Sequence, residues 1–552
     1  MATTGADLLA RILKAEGVEQ VFCFPLSSIQ EALTAAGIRT ITTRQERVAG
    51  NMADGVSRST NGRKIGVVAV QALAGAENAF AGIAHSYTDS TPTLFLPGHP
   101  GIDLIGQRPT FDSVANYGAT TKLASRVLTP DLLVPVMRQA FAALRSGRPQ
   151  PVMVELVEDA LVGEVSGDVA EYTPVPWVRP GPDAGGVREA ADLLLRAKAP
   201  LIWSGHGTLY AEASAELQEV AELLGAPVLT TLMGKSGFDE GHELSAGTGG
   251  YSESPVLRHF LDAADTLLAV GSSLSRTSFA PSFKPGKTII HVTNDPRDLF
   301  KVHPTAVGVH SDAKLFLAAL AEELRGRVGA TERDRHVATA ATIRERRAAF
   351  LADYEPLFAA EGTPIPGYRM FRELWASLDP ARTILTHESG HSRDIQSVFW
   401  PARTPRSYLA WGHSTQLGFS LGLAMGTKLA HPDKLVVNVM GDAAVGMTAM
   451  DWETAVRERI PILTVIKHDS IFSMYDQYIP DSIEKLGASN VYGDYAGVAR
   501  SLGCHAERVT TIAELRPAFQ RAIAAVDAGQ PAVVDVITSE TRRIPRPDAG
   551  SH

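Results

Sequence analysis

The stretch Leu435-Val-Val-Asn-Val-Met-Gly-Asp442-Ala-Ala-Val-Gly-Met-Thr-Ala-Met-Asp-Trp-Glu-Thr-Ala-Val-Arg-Glu-Arg-Ile-Pro-Ile-Leu-Thr-Val-Ile-Lys-His-Asp469 contains two short apolar runs with a helix-length segment between them. A near-continuous apolar run reads as a strand buried on both faces, and a crossover helix between two such strands makes them parallel. Ligands gather at the carboxyl ends of parallel strands. The first run delivers Gly441-Asp442 to that edge and the second delivers His468-Asp469, so the aspartates stand one strand–helix–strand separation apart. Two carboxylates there, with phosphate oxygens, a carbonyl and water, suit octahedral magnesium. The small residues Ala443 and Ala444 let backbone N–H groups approach a phosphate closely. Each aspartate alone reads first as the cap of a helix or turn after a strand, and the spacing of the pair does not choose between cap and ligand.

Working outward, the same alternation recurs along the chain. Strands are expected at Val18 to Phe24, 38–42, Ile65 to Val70, Thr93 to Leu96 and Pro151 to Leu156, with helices at 28–36, 45–60 and 76–88. Thr4 and Asp7 have capping-box spacing ahead of the stripe Leu8, Leu9, Ile12 and Leu13. Residues 163–188, with Pro174, Pro176, Pro180 and Pro182, read as a linker. A second unit carries strands at Pro200–Trp203, Val228–Thr230, Thr266–Val270 and Thr288–Val292. The charged stretch Glu332 to Arg347 reads as a surface helix leading to a second linker at Pro364 and Pro366. A third unit has strands at Thr383–Thr386, Leu435–Met440, Ile462–Lys467 and Ala532–Ile537. The expected fold class is α/β, with three parallel-sheet domains at 1–165, 186–330 and 366–540. No internal repeat is detectable residue by residue.

Composition narrows the function classes. Of 552 residues, 52 are Lys or Arg and 61 Asp or Glu, so the net charge is −9. A chain without a basic excess does not wrap nucleic acid. No apolar run approaches the ~18–20 residues of a membrane span. The two cysteines, Cys23 and Cys504, exclude a disulfide framework, and the expected compartment is a reducing cytoplasm. The N-terminus lacks the basic-then-apolar layout of a signal peptide.

The quoted stretch resembles the thiamine-diphosphate-dependent enzymes, specifically the acetolactate synthase, 2-oxoacid decarboxylase and benzaldehyde lyase superfamily. That family's magnesium motif is Gly-Asp-Gly followed, after a similar separation, by Asn-Asn; here stand Gly441-Asp442-Ala443 and His468-Asp469. The resemblance implies Asp442 and Asp469 as side-chain magnesium ligands and Ile471 as a backbone ligand. Asp in place of the ligand Asn keeps an oxygen donor and adds a negative charge beside a diphosphate. Leu417-Gly-Phe-Ser-Leu-Gly-Leu-Ala-Met-Gly-Thr-Lys-Leu-Ala is similar to the family's Met-Gly-Phe-Gly-Leu-Pro-Ala-Ala-Ile-Gly-Ala, which puts Leu417 on the residue that props the cofactor into its bent shape. Glu388-Ser-Gly-His-Ser392 stands where the family has Asp-Val-Gly-x-His, a loop touching the diphosphate. The cofactor contacts implied are Glu46, Asn78, Ser389, Gly390, His391, Ser392, Thr415, Leu417, Gly441, Asp442, Ala443, Ala444, Asp469, Ile471 and Phe472.

In the first unit, Arg44-Gln-Glu-Arg-Val-Ala-Gly-Asn-Met-Ala-Asp-Gly-Val-Ser-Arg58 is similar to the family's His-Glu-x-x-Ala-x-x-Met-Ala-Asp-Gly-Tyr-Ala-Arg helix, so Glu46 takes the place of the activating glutamate. A carboxyl bonded to the aminopyrimidine favours its imino form, whose nitrogen removes the thiazolium proton, and an apolar pocket suits a carboxyl to share that proton. Gln71 stands where benzoylformate-type decarboxylases have His; it can hydrogen-bond a carboxylate or hydroxyl but not deliver a proton. Phe111-Asp112-Ser113 falls near the synthases' Phe-Gln-Glu. With Gln71, the histidines His391 and His413 are the candidate catalytic residues, because histidine titrates near neutral pH. Ser27, Ser28 and Phe472 are further candidates for the pocket lining. Lys122 reads as a solvated lysine. Gly225-Ala-Pro-Val-Leu-Thr-Thr-Leu-Met-Gly-Lys235 and Ala264-Asp-Thr-Leu-Leu-Ala-Val-Gly271 resemble the synthase-like central domain, which binds FAD or a nucleotide in some members; its sequence does not decide, so FAD has no supporting motif here.

The implied activity is carbon–carbon bond cleavage or formation on a 2-oxo acid, aldehyde or acyloin, in a homodimer or homotetramer with active sites at the interface and no nucleic-acid or membrane partner. The alternatives are a 2-hydroxyacyl-CoA lyase or oxalyl-CoA decarboxylase, a flavin oxidase of pyruvate-oxidase type, and a cofactor-binding protein without activity.

Overall fold

A computed structural model describes residues 3–25, 27–166, 171–409 and 411–546. The side chains of Ser27 and Ser28 lie outside the described set. Three six-stranded, all-parallel sheets are built in chain order. The first holds β1 (Gln20–Cys23), β2 (Arg39–Thr42), β3 (Gly66–Val70), β4 (Thr93–His99), β5 (Leu123–Val127) and β6 (Val152–Val157). The second holds β7 (Pro200–Ser204), β8 (Val228–Thr231), β9 (Ser245–Gly249), β10 (Thr266–Val270), β11 (Thr288–Thr293) and β12 (Val307–His310). The third holds β13 (Thr383–His387), β14 (Tyr408–Leu409), β15 (Leu435–Gly441), β16 (Leu463–His468), β17 (His505–Val509) and β18 (Ala532–Ile537).

The order β2-β1-β3-β4-β6-β5 of the first sheet is repeated strand for strand by β14-β13-β15-β16-β18-β17 in the third. The two outer units are thus one topology used twice, although no repeat is visible in their residues. The middle sheet runs β12-β11-β10-β7-β8-β9, the doubly wound order with its switch point between β7 and β10. Central strands such as β3 and β16 are buried along their whole length, as their apolar runs require. The strands that sequence reading missed are β5, β9, β12, β14 and β17. Each is an edge strand of its sheet. Edge strands bury one side only, so β5 and β17 carry polar residues and β14 is two residues long.

The outer units pack on each other through helices Glu46–Ser59 and Phe419–Ala430. Glycine makes the approach possible: a Cβ on Gly55 would lie 2.3 Å from the Leu423 carbonyl oxygen, and one on Gly426 would lie 2.0 Å from that of Met52. Beside this contact sits a fully buried charge network. Arg58 bonds Asp54 at 2.6 Å and Asp89 at 3.2 Å, and Asp89 accepts the N–H groups of Gly412 and His413 from the third unit, both at 3.2 Å. His85 and Arg58 hold Asp89 well below the usual carboxylate range despite its burial. Removing one partner of a buried pair leaves the other uncompensated, so Arg58→Met is expected to cost about 3–5 kcal/mol. Arg63→Met, at a solvent-facing pair with Glu212, is expected to cost about 0–1 kcal/mol. Urea unfolding of both variants checks this, and equal midpoints would remove the network from the account.

Two local expectations resolve differently. Thr4 and Asp7 do form a capping box, with the Asp7 N–H donating to Thr4 Oγ1 at 3.2 Å and the Thr4 N–H to Asp7 at 3.0 Å. Lys122 is not solvated. Its ammonium donates to the carbonyls of Ala143 at 2.7 Å, Arg148 at 2.9 Å and Ser146. These close the carboxyl end of helix Leu133–Leu144, where exposed carbonyls attract a cation.

Candidate active site

In the third sheet the strand order reverses between β13 and β15, and a crevice opens at the carboxyl ends beside such a switch. Gly441 at the end of β15 is the register partner of Lys467 on β16. That pairing puts Asp442 and Asp469 at neighbouring strand ends. The Ala443 N–H donates to Asp442 Oδ1 at 2.8 Å, and the Ser470 N–H to Oδ2 at 2.7 Å. Asp469 Oδ2 takes the Lys467 ammonium at 2.6 Å and the Ser473 hydroxyl at 2.7 Å; its Oδ1 accepts no hydrogen bond among the described residues. The Ile471 carbonyl is likewise without a donor among them. His468 lies between two carboxylates, its Nδ1 2.8 Å from Asp535 Oδ1 and its Nε2 3.9 Å from Asp442 Oδ2.

Burial, and then the charge of Asp469, push the Asp442 carboxyl up to about 6. The Asp442 carboxylate, an unused Oδ1 on Asp469 and a free carbonyl form a donor set of hard oxygens, which fits a small divalent cation. Among the described residues no group of three His, Cys, Asp or Glu side chains is placed to hold a metal. Any cation here would therefore depend on the Ile471 carbonyl, water or a ligand's own oxygens.

The loop Glu388-Ser389-Gly390 leaves the end of β13 and begins helix His391–Phe399. Gly390 has φ +78°, and a Cβ there would meet nothing within 4 Å, so the loop borders open space. Glu388 is wholly buried and accepts the Ser420 N–H (2.9 Å) and hydroxyl (2.6 Å), fixing the start of helix Phe419–Ala430 behind Leu417. The Leu417 carbonyl accepts from Arg47 at 2.6 Å. Gly418 follows with φ +84°, where a side chain would strike Met447 and Thr448. Burial, and then the Lys467 charge, push the His391 imidazole down to about 3. At neutral pH it is therefore an uncharged ring, whose Nε2 lies 3.4 Å from Met474 Sδ. His413 and Thr415 are exposed, with His413 tied to Asp89 through its backbone.

Ser389–Ser392, Leu417, Asp442–Ala444, Asp469, Ile471 and Phe472 thus share one sheet edge. Glu46, Gln71 and Asn78 do not join them. They sit on the first unit, Gln71 and Asn78 exposed beyond the end of β3. Glu46 begins helix Glu46–Ser59, is 5% exposed, and makes no side-chain hydrogen bond among the described residues. Its carboxyl is therefore available to a ligand donor. Sequence reading missed Lys467. Its signal was present, since residues two apart on a strand share a face.

Two cavities flank the middle unit. One of about 390 Å³ lies at the ends of β7, β10 and β11, lined by Gly205, Gly207, Gly271 and Ser272, and by Arg148, which Asp295 and Asp298 hold. The other, of about 710 Å³, is lined by Trp203, Phe283 and three arginines, Arg258, Arg276 and Arg546.

Comparison with known proteins adds three matches. "Thiamine pyrophosphate enzyme, N-terminal TPP binding domain" covers residues 3–118, "Thiamine pyrophosphate enzyme, central domain" covers 187–320, and "Thiamine pyrophosphate enzyme, C-terminal TPP binding domain" covers 389–536. The chain is 28% identical to a probable acetolactate synthase large subunit of Methanocaldococcus jannaschii, over 98% of this chain and 93% of that one. It is 28% identical to the acetolactate synthase isozyme 3 large subunit of Escherichia coli K12, over 98% and 96%. It is 27% identical to a glyoxylate carboligase of Escherichia coli O157:H7, over 98% and 93%.

Proposed function

The chain belongs to the thiamine-diphosphate-dependent enzymes, and from that premise we propose that it is a magnesium-dependent carboligase or decarboxylase acting on a small 2-oxo acid or acyloin. The observation that carries this reading is the pair Asp442 and Asp469 at adjoining strand ends, with the unused Oδ1 of Asp469 and the free Ile471 carbonyl beside them. These three would hold the magnesium, and the Ser389–Ser392 loop with Ala443 and Ala444 would face the diphosphate. The bound cofactor supplies an electron sink for the carbon–carbon bond change. Glu46 holds and shares the proton at the aminopyrimidine, and Leu417 supports the cofactor's shape from its rigid seat between Arg47 and Gly418. Gln71 offers a hydrogen bond to substrate without giving up a proton.

Glu46 and Asp442 stand on different units, and we assign them to one cofactor from two chains, so a homodimer is the smallest active form. Large apolar side chains support a partner surface. Leu73 and Phe80 are exposed beside Gln71 and Asn78, and Met447, Met450 and Phe472 beside Asp442. Among the described residues no helix is long and apolar enough to cross a membrane, both cysteines are buried and free, and we place the protein in the cytoplasm.

An acyl-CoA substrate is a second reading, favoured by the three arginines that line the larger cavity, which match an anionic carrier. A flavin oxidase would purify yellow. A panel of 2-oxo acids, acyloins and acyl-CoA compounds, followed for carbon dioxide and aldehyde release, separates the readings. Turnover of pyruvate or glyoxylate with carbon dioxide release is the expected result. Turnover confined to acyl-CoA compounds would overturn the first reading in favour of the second.

A further inference from the structure

We propose that Lys467 is a positioning residue that balances the charge of Asp469, so that the edge presents one net negative charge to its cation instead of two. The proposal rests on the reading of Asp442 and Asp469 as cation ligands. Lys467 is the register partner of Gly441, and its side chain is 4% exposed. Its ammonium is bonded to Asp469 Oδ2 at 2.6 Å, where the Ser473 hydroxyl also donates. The pair therefore uses one carboxylate oxygen and leaves the other for a metal. The aliphatic stem packs against Gly367, where a Cβ would lie 3.2 Å from Lys467 Cε.

The electrostatic consequence has a definite sign. Unit charges a few ångströms apart in a buried site interact strongly, because little water screens them. Without the lysine, two buried carboxylates would bind a divalent cation at least as well, but the loaded site would repel a diphosphate. Without the Asp469 charge, the lysine would stand unpaired beside the cation and repel it. Removing both would restore the balance. A lysine that only fills space or solubilises its strand gives no such reversal.

The test measures magnesium and thiamine diphosphate affinities by calorimetry, with no turnover required, in the wild type, Lys467→Met, Lys467→Arg, Asp469→Asn and the double variant Lys467→Met/Asp469→Asn. At saturating magnesium, Lys467→Met is expected to weaken thiamine diphosphate binding about tenfold or more, a loss of ~1.4 kcal/mol. Asp469→Asn is expected to weaken magnesium binding by a similar factor. The double variant and Lys467→Arg are expected to return to within about threefold of wild type for the cofactor. If Lys467→Met does not fold, the double variant, which carries no unpaired charge, is expected to fold and bind. A double variant as weak as its two single losses combined, or one that fails to fold, overturns the proposal, as does Lys467→Arg binding as poorly as Lys467→Met. A wild type that binds no thiamine diphosphate with magnesium refutes the function proposed above and takes the charge pair with it.

Discussion

Replacing Glu46 with glutamine is expected to slow deuterium exchange at the thiazolium carbon of bound thiamine diphosphate by a factor of about 100 or more, with binding retained. Glu46 is buried at the start of its helix and has no hydrogen-bond partner among the described residues, so the protein itself gives the carboxyl nothing to do. Glutamine has the same shape and can still accept or donate one hydrogen bond, which preserves packing. It cannot hold and return a proton. Rapid-quench exchange followed by proton NMR reads the effect directly, with calorimetry confirming that the cofactor is bound. An unchanged exchange rate would strip Glu46 of its role and send the search to another buried acid.

Asp442→Ala is expected to abolish the joint stabilisation by magnesium and thiamine diphosphate. A ligand at about 100 to 1,000 times its dissociation constant stabilises the folded state by about 2.7 to 4.1 kcal/mol, which a thermal melt reads as several degrees. The variant loses one carboxylate of the pair and the acceptor for the Ala443 and Ser470 N–H groups. Its unliganded melting temperature should move much less. The native carboxyl is pushed up to about 6 by burial and by Asp469, so its charge destabilises the empty fold at neutral pH and its removal relieves that strain. Equal ligand-induced shifts in wild type and variant would show that the cation binds elsewhere.

Much of this architecture was legible in the residues, and the exceptions have physical causes. Strands buried on both faces declare themselves as apolar runs, so β3, β10, β15 and β16 were readable. β5, β12 and β17 lie at sheet edges with one face toward water, and their polar residues hide them. The repeated strand order of the outer units was invisible because topology constrains where apolar runs fall and not which residues fill them.

The site followed the same division. Asp442 and Asp469 could be placed at one edge from spacing, since a strand–helix–strand unit returns the chain to the neighbouring strand end. The environment of each group could not. The residue type of His391 says nothing of its burial, which pushes its imidazole down to about 3. Lys122 looked solvated, yet three carbonyls enclose its ammonium. Lys467 passed as one more strand residue until the β15–β16 register set it beside the acids.

The most direct test of the account is calorimetric titration of the wild-type protein with thiamine diphosphate, with magnesium present and with magnesium removed by chelation. The account predicts saturable binding with magnesium and a loss of about tenfold or more in affinity without it, about 1.4 kcal/mol or more. Affinity that ignores the metal, or no binding in either condition, would contradict it.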